Sequence, residues 1–190
     1  VIEAIYSNKN NIKIFNNDIL KFDVSKYNKI ISNLPYYITS DIISYLLLNT
    51  KNCDEMVFMV QKEAALRFLD STNKTEPLSI LINLVGDIKK VYTVKPSSFV
   101  PAPHVDSVVF KINIFNKFDD LSSIYKFVKT MYLQKRKTIY NNLTSIVKNK
   151  DKAQKVLEKL GFNPLLRPEN LTKNDYLSLY EEIYRSKNQW

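Results

Sequence analysis

Residues 33–36 read Asn-Leu-Pro-Tyr and stand between an apolar run, Lys29 to Ser32, and a helix-forming segment, TSDIISYLLLN. A strand usually exits through a Gly or Asp turn. Here an amide, a ring that donates no backbone hydrogen bond and the phenol of Tyr36, followed by that of Tyr37, take that place. Such a set suits alkylation of the exocyclic amine of adenine. The lone pair of that nitrogen is delocalised into the ring, so the amine is a poor nucleophile. Two acceptors bonded to its protons would draw the nitrogen toward tetrahedral geometry and free the pair. The Asn33 side-chain oxygen and the Pro35 carbonyl are the candidates, because Pro35 restricts Leu34 to extended geometry and so turns successive carbonyls outward. Tyr36 offers a face on which a flipped base could stack, worth ~1–3 kcal/mol. The plain alternative is a proline-broken strand exit with an exposed tyrosine.

Elements must hold these groups. Ile12 to Phe15 (IKIF), Lys29 to Ser32 (KIIS) and Met56 to Val60 (MVFMV) are continuous apolar runs, the pattern of strands covered on both faces in a parallel sheet. Between the second and third, Ile42, Ile43, Leu46 and Leu47 share one helical face, with Thr39 or Ser40 as cap and Asp41 in the first turn. This spacing predicts an α/β unit with a right-handed crossover. Ligands of such sheets bind beyond the carboxyl ends of the strands, so Asp18 and Asn33 should face one crevice. Asp18 could accept from a ligand amine or ribose, and Ile19 offers an apolar edge to a flat ring. A loop acid or helix cap explains Asp18 equally well.

Downstream, Lys62 to Leu69 reads as helix, Leu78 to Val94 as apolar and β-tending, and Ser107 to Ile114 as the last strand. Pro96, Pro101 and Pro103 fix an extended loop before it, and the setting between Ser98 and the Pro101/Pro103 turn predicts that Phe99 sits on an exposed loop; alone, such a phenylalanine would more often be core. Past Phe115 the pattern turns helical, over 121–133, 135–148, 151–160 and 173–187, with Gly161 as a C-cap. The boundary falls near 115–120, giving a catalytic unit over 1–116 and a helical unit over 117–190.

The charge is uneven. Residues 1–110 hold twelve Lys and Arg against eleven Asp and Glu, whereas 111–190 hold sixteen against eight. A basic module beside a neutral one is the footprint of a nucleic-acid partner, with a lysine-rich solvated surface as the alternative. Apolar residues make up 45% of the 190, enough for a core, and no apolar run reaches the roughly 18 residues of a membrane span. A single Cys53 excludes an internal disulfide framework and points to a reducing compartment. One His and one Cys leave no His/Cys metal cluster. No secretory leader is visible. The start at Val1 and the presence of only two glycines predict a fragment.

NLPYYITS resembles the signature of the small-subunit ribosomal RNA adenine dimethyltransferases. FMVQKEAALRF is similar to the strand-plus-QKE element of that family, and PSSFVPAPHVDSVVFKI to its SxFxPxPxVxS loop and strand. QKRKTIYNNL and LGFNPLLRPENLT are similar to its basic helix and carboxyl-terminal signature. The blocks occur in order across nearly the whole chain.

The resemblance implies a Rossmann-like methyltransferase sheet, its amino-terminal part missing, with a small α-helical domain. It implies S-adenosylmethionine as methyl donor, with Asp18 bonding its adenine ring and Asn33 lining its pocket and meeting the target amine. Tyr36 and Phe99 would sandwich the flipped adenine. Lys135, Arg136 and Lys137 would face RNA phosphates from a basic helix. The implied partners are small-subunit rRNA, methylated at two adjacent adenines near its 3′ end, and the immature small subunit. A monomer free of metal and membrane, in the cytoplasm or an organelle, completes the expectation. No general base is required, since the product ammonium is acidic; Gln61 to Glu63 order the sheet edge. Departures from the family pattern are the absent glycine-rich loop, the absent ribose acid (Glu3 stands too close to Asp18 and falls on a helix leading to IKIF), and Thr75-Glu76-Pro77-Leu78 in place of YGxL. Two rivals remain at this stage: a non-catalytic ribosome-assembly factor on the same fold, and a large-subunit rRNA methylase of the erythromycin-resistance type.

Overall fold

Parallel strands cannot be joined by a tight turn, and the first pair uses a helix as its crossover. Strand β1 (Lys29–Asn33) leads into helix α1 (Thr39–Asn49) and returns as β2 (Glu55–Gln61). The two strands pair in parallel, Lys29 opposite Glu55 and Asn33 opposite Met59. The computed structural model describes residues 5–6, 9–69 and 76–184, and of Tyr36 the backbone only. Helices α2 (Lys62–Leu69) and α3 (Pro77–Val85) follow β2, then β3 (Gly86–Val94) and β4 (Ser107–Ile114). The sheet order is β1-β2-β4-β3, with β4 antiparallel to both neighbours. This mixed sheet, with helices packed on it, is an α/β, Rossmann-like arrangement.

Alternation along β2 puts Met56, Phe58 and Val60 fully inside, where Phe58 meets Phe110 of β4 at 5.7 Å between ring centroids. Burying each such side chain contributes about 1.5–3 kcal/mol. The expectation of strands covered on both faces fails for β1, whose Ile31 is 81% exposed. Among the described residues β1 is an edge strand, so its outward apolar positions have nothing to pack against.

Residues Ile12 to Phe15 are not a strand. All four are exposed, they have no ladder partner among the described residues, and Phe15 instead sets its ring 4.9 Å from that of Phe22. Glu3 and Thr75 lie outside the described residues.

The Leu78–Val94 stretch is two elements rather than one. Its first half is helix α3, started by Pro77 and by a reciprocal cap in which Glu76 and Ser79 each bond the other's backbone. Seven of the nine α3 residues are buried. Leu78, Leu81, Ile82 and Val85 join the core against the sheet, and Ile80 and Leu84 join a second core. A helix apolar all round carries no 3.6-residue pattern, so its isoleucines imitate a strand.

That second core belongs to α4 (Leu121–Leu133), α5 (Ile139–Val147), α6 (Lys150–Leu160) and α7 (Lys173–Tyr184). Tyr176 is buried at its centre with its hydroxyl donating to the Pro168 carbonyl at 2.8 Å. Gly161, at φ +71°, closes α6 in the left-handed conformation that glycine adopts without strain. The helix expected over 135–148 begins four residues late, at Ile139, where the Thr138 hydroxyl accepts from the Asn141 N–H. No helix among the described residues is long and apolar enough to cross a membrane.

Candidate active site

The carboxyl ends of β1 and β2, the end of β3 and the start of β4 lie at one end of the sheet. Asn33 is the last residue of β1 and is exposed there. Leu34 follows with its side chain buried and its N–H donating to the Met59 carbonyl at 3.0 Å, which locks the exit to β2. Pro35 then opens a 3-10 turn over Tyr36–Ile38 that runs into α1.

The Pro35 carbonyl is not free for a substrate amine. It accepts from the buried Thr39 hydroxyl at 3.0 Å and from the Ile38 N–H at 3.4 Å, which occupies both lone pairs. Thr39 is thus the first helical residue and donates backward; neither it nor Ser40 is an N-cap, a position held by Ile38 without a side-chain bond. The Leu34 carbonyl, one residue earlier, has no donor among the described residues. Sequence reading missed both facts, although the Thr four residues after Pro35 was the available signal.

Asp18 caps the 3-10 turn Ile19–Lys21, its Oδ1 accepting from the Leu20 N–H at 3.0 Å, so the cap alternative is realised. Ile19 is half-buried and lines a cavity of about 440 Å³ with Phe22, Tyr27, Ser32, Leu34 and Pro35. The size suits a small-molecule ligand. The walls suit a flat apolar ring, but no carboxylate lines them to receive ribose hydroxyls or an ammonium. Asn33 and Phe99 stand outside this lining. Among the described residues no three His, Cys, Asp or Glu side chains are placed to hold a metal.

Phe99 is half-buried and its N–H closes the 3-10 turn at Pro96. Its loop is pinned at the sheet end by Asp106, which accepts from Lys95 Nζ at 3.3 Å and lies 3.6 Å from Lys62 Nζ. The Lys62 N–H also donates to the Asp106 carbonyl at 3.0 Å, so the QKE segment ties the loop to β2. The Tyr36 side chain lies outside the described residues, and with it the separation of the two rings.

Lys135, Arg136 and Lys137 are all exposed, on the turn between α4 and α5 rather than on a helix. The buried Asn142 amide holds that turn by donating to the carbonyls of Gln134, Lys137 and Thr138 at 3.1–3.3 Å. Those donations consume the residues a longer α5 would have wound.

The ribosomal RNA adenine dimethylase family model matches residues 2–185. The ribosomal RNA small subunit methyltransferase A of Mycoplasma capricolum subsp. capricolum is 38% identical over 193 residues, covering 94% of this chain and 73% of that protein. The protein of the same name from Malacoplasma penetrans is 36% identical over 193 residues, covering 97% and 70%. Among solved structures, a dimethyladenosine transferase from Plasmodium falciparum superposes with a TM-score of 0.78 at 27% identity, over 97% of this chain and 76% of its own. The 23S rRNA methyltransferase ErmE shares the fold, with a TM-score of 0.66 at 18% identity over 96% and 76%.

Proposed function

The chain belongs to the ribosomal RNA adenine dimethylase family and is an rRNA adenine dimethyltransferase; from that premise we propose how its own residues carry the reaction and on which RNA. The substrate is a pair of adjacent adenines in small-subunit rRNA near its 3′ end, presented on the immature small subunit in the cytoplasm or an organelle. The protein acts as a monomer. Residues 1–116 form the catalytic unit, and 117–190 grip RNA through Lys135, Arg136 and Lys137.

The observation that carries the mechanism is the fixed exit of β1. Leu34 is clamped to Met59 and Pro35 to Thr39, so the Asn33 amide and the Leu34 carbonyl are left as acceptors at the strand end. Each accepts a hydrogen bond from an N–H of the target amine and draws its nitrogen out of conjugation. Pro35 thereby shapes the loop and does not touch the amine. Tyr36 and Phe99 close over the flipped base, and the Lys62–Asp106–Lys95 cluster holds the Phe99 loop in position. S-adenosylmethionine, when bound, supplies a methyl group on a cationic sulfur. Asp18 and Ile19 would hold its adenine end, with Asn33 at the border between donor and target. Pre-aimed acceptors and a fixed approach supply the rate enhancement, and the product ammonium gives its proton to water.

Asn33→Ala tests this. Removing one preorganised charge-stabilising group typically costs ~10²–10³ in turnover. The variant is expected to lose methyl transfer to that degree while retaining its affinity for an rRNA 3′ hairpin within about twofold. Near-normal turnover would remove Asn33 from the mechanism.

A further inference from the structure

Helix α4 lies along α1 in the opposite direction. Leu121 at its start lines one hollow with Leu47 and Leu48 near the end of α1. One turn on, Tyr125 lines a second hollow together with Asp41 and Ser44 near the start of α1. The last turn of α4 therefore ends at the same end of the sheet as Asn33, and the Lys135–Lys137 turn follows there. Between the two helices runs a groove of about 800 Å³ whose walls include Tyr45, Tyr125, Lys126, Lys129, Tyr132 and Leu133.

The groove carries charge without partners. Lys126 and Lys129 are exposed, and neither reaches a carboxylate within ion-pair distance among the described residues. One turn apart on α4, they share a face with Leu133, which is 82% exposed. Lys129, an exposed residue, sets its Nζ 5.7 Å from the centre of the Tyr125 ring. The floor is aromatic and already satisfied: Tyr45 donates to the Phe22 carbonyl at 3.0 Å, and the Tyr132 ring stacks on Tyr176. Asp41 is the one acid in the lining.

We propose that this groove is a second stretch of RNA-binding surface, in which Lys126 and Lys129 take phosphates of the strand that leaves the Lys135–Lys137 turn and runs down the side of the sheet domain. The inference rests on the RNA reading given above and extends it to residues on the α1 side of α4. Unneutralised cations above an aromatic floor match the chemistry of a phosphodiester backbone with flanking bases or sugars. A protein partner would need an acidic segment to satisfy the same two lysines.

The test is a salt titration of the full chain binding a labelled, protein-free rRNA fragment that holds the 3′ hairpin and its flanking single strand. Each lost phosphate contact lowers the slope of log affinity against log salt by about 0.7 for single-stranded and 0.9 for duplex nucleic acid. Lys126→Gln with Lys129→Gln is expected to weaken binding and flatten the slope by about 1.4–1.8. Lys89→Gln with Lys90→Gln, exposed on β3, is the control for net charge and should leave the slope unchanged. The proposal falls if the groove variant keeps the wild-type slope while neutralising Lys135, Arg136 and Lys137 flattens it; the RNA reading then survives without the groove. It falls with that reading if neither variant changes the slope. An equal loss in the β3 control would reduce the effect to bulk charge and overturn the proposal. Unchanged RNA binding with weakened binding to intact small subunits would assign the groove to a protein and also overturn it.

Discussion

The hydroxyl of Thr39 carries the sharpest test of how the site is built. Thr39 is buried, and this hydroxyl donates to the Pro35 carbonyl at 3.0 Å. Thr39→Val keeps the shape and removes the donor. A net hydrogen bond contributes about 0.5–1.5 kcal/mol. Pro35 is exposed, so water can replace the lost donor and the cost falls toward the low end, about 0.5–1 kcal/mol. For a chain of this size that lowers Tm by about 1–4 °C. Turnover should suffer far more than stability. Once released, the Pro35 carbonyl lets the Leu34–Pro35 peptide swing, and a shift of about 1 Å in positioning can cost up to about 100-fold. Thr39→Ser supplies the contrast, since it keeps the donor and loses a buried methyl worth about 0.8 kcal/mol. The two variants should match in urea midpoint, with unchanged slope, yet only the valine variant should lose kcat for methyl transfer from labelled S-adenosylmethionine by tenfold or more. Equal kcat in both would sever the link between the Thr39 bond and the acceptor geometry.

Three further outcomes follow from other parts of the molecule. Glu55 accepts a hydrogen bond from Lys111 at 3.0 Å, and that bond together with the lysine's charge holds its carboxyl below the ordinary 4.5. A depressed carboxylate stabilises the fold fully above its ordinary pKa and loses that contribution as pH falls through the folded value, so wild type should lose stability below about pH 4.5 more steeply than Glu55→Gln; parallel acid limbs in urea titrations would contradict this. Gly86 lies where a Cβ would sit 1.7 Å from the Asn113 carbonyl oxygen, a backbone atom, so Gly86→Ala should cost 3 kcal/mol or roughly more by forcing β3 from β4, read as loss of soluble folded protein or a large fall in Tm. Gly161→Ala meets nothing within 4 Å but must hold φ +71°, so it should cost only about 1–2 kcal/mol; a loss as large as that at Gly86 would refute the distinction between collision and strain.

Local chemistry was legible wherever neighbours in sequence are also neighbours in space. The order strand, Asn-Leu-Pro-Tyr, helix is written in the apolar run at Lys29 to Ser32 and the helical face of Ile42, Ile43, Leu46 and Leu47, and Ser107–Ile114 and Leu121–Leu133 are likewise legible from the sequence. So is the Gly161 stop, because a left-handed residue after a Lys-rich amphipathic turn admits little else. Charge asymmetry, a sum over residues, likewise needed no coordinates.

What needed the folded chain was every choice made by a partner far away in sequence. Ile12 to Phe15 has the composition of a strand, but a strand exists only where another supplies the hydrogen bonds, and none among the described residues does so. Leu78 to Val85 became a helix because two cores, one on each side, bury nearly all of it and erase the polar stripe that identifies helices. Asn142 reached back to the carbonyls of residues 134, 137 and 138 and turned a would-be helix into the turn that displays Lys135, Arg136 and Lys137. The sequence determined which groups are available to a target amine; three-dimensional bonding decided which carbonyl remains open, because a lone pair taken by Thr39 at Pro35 cannot also accept from a substrate.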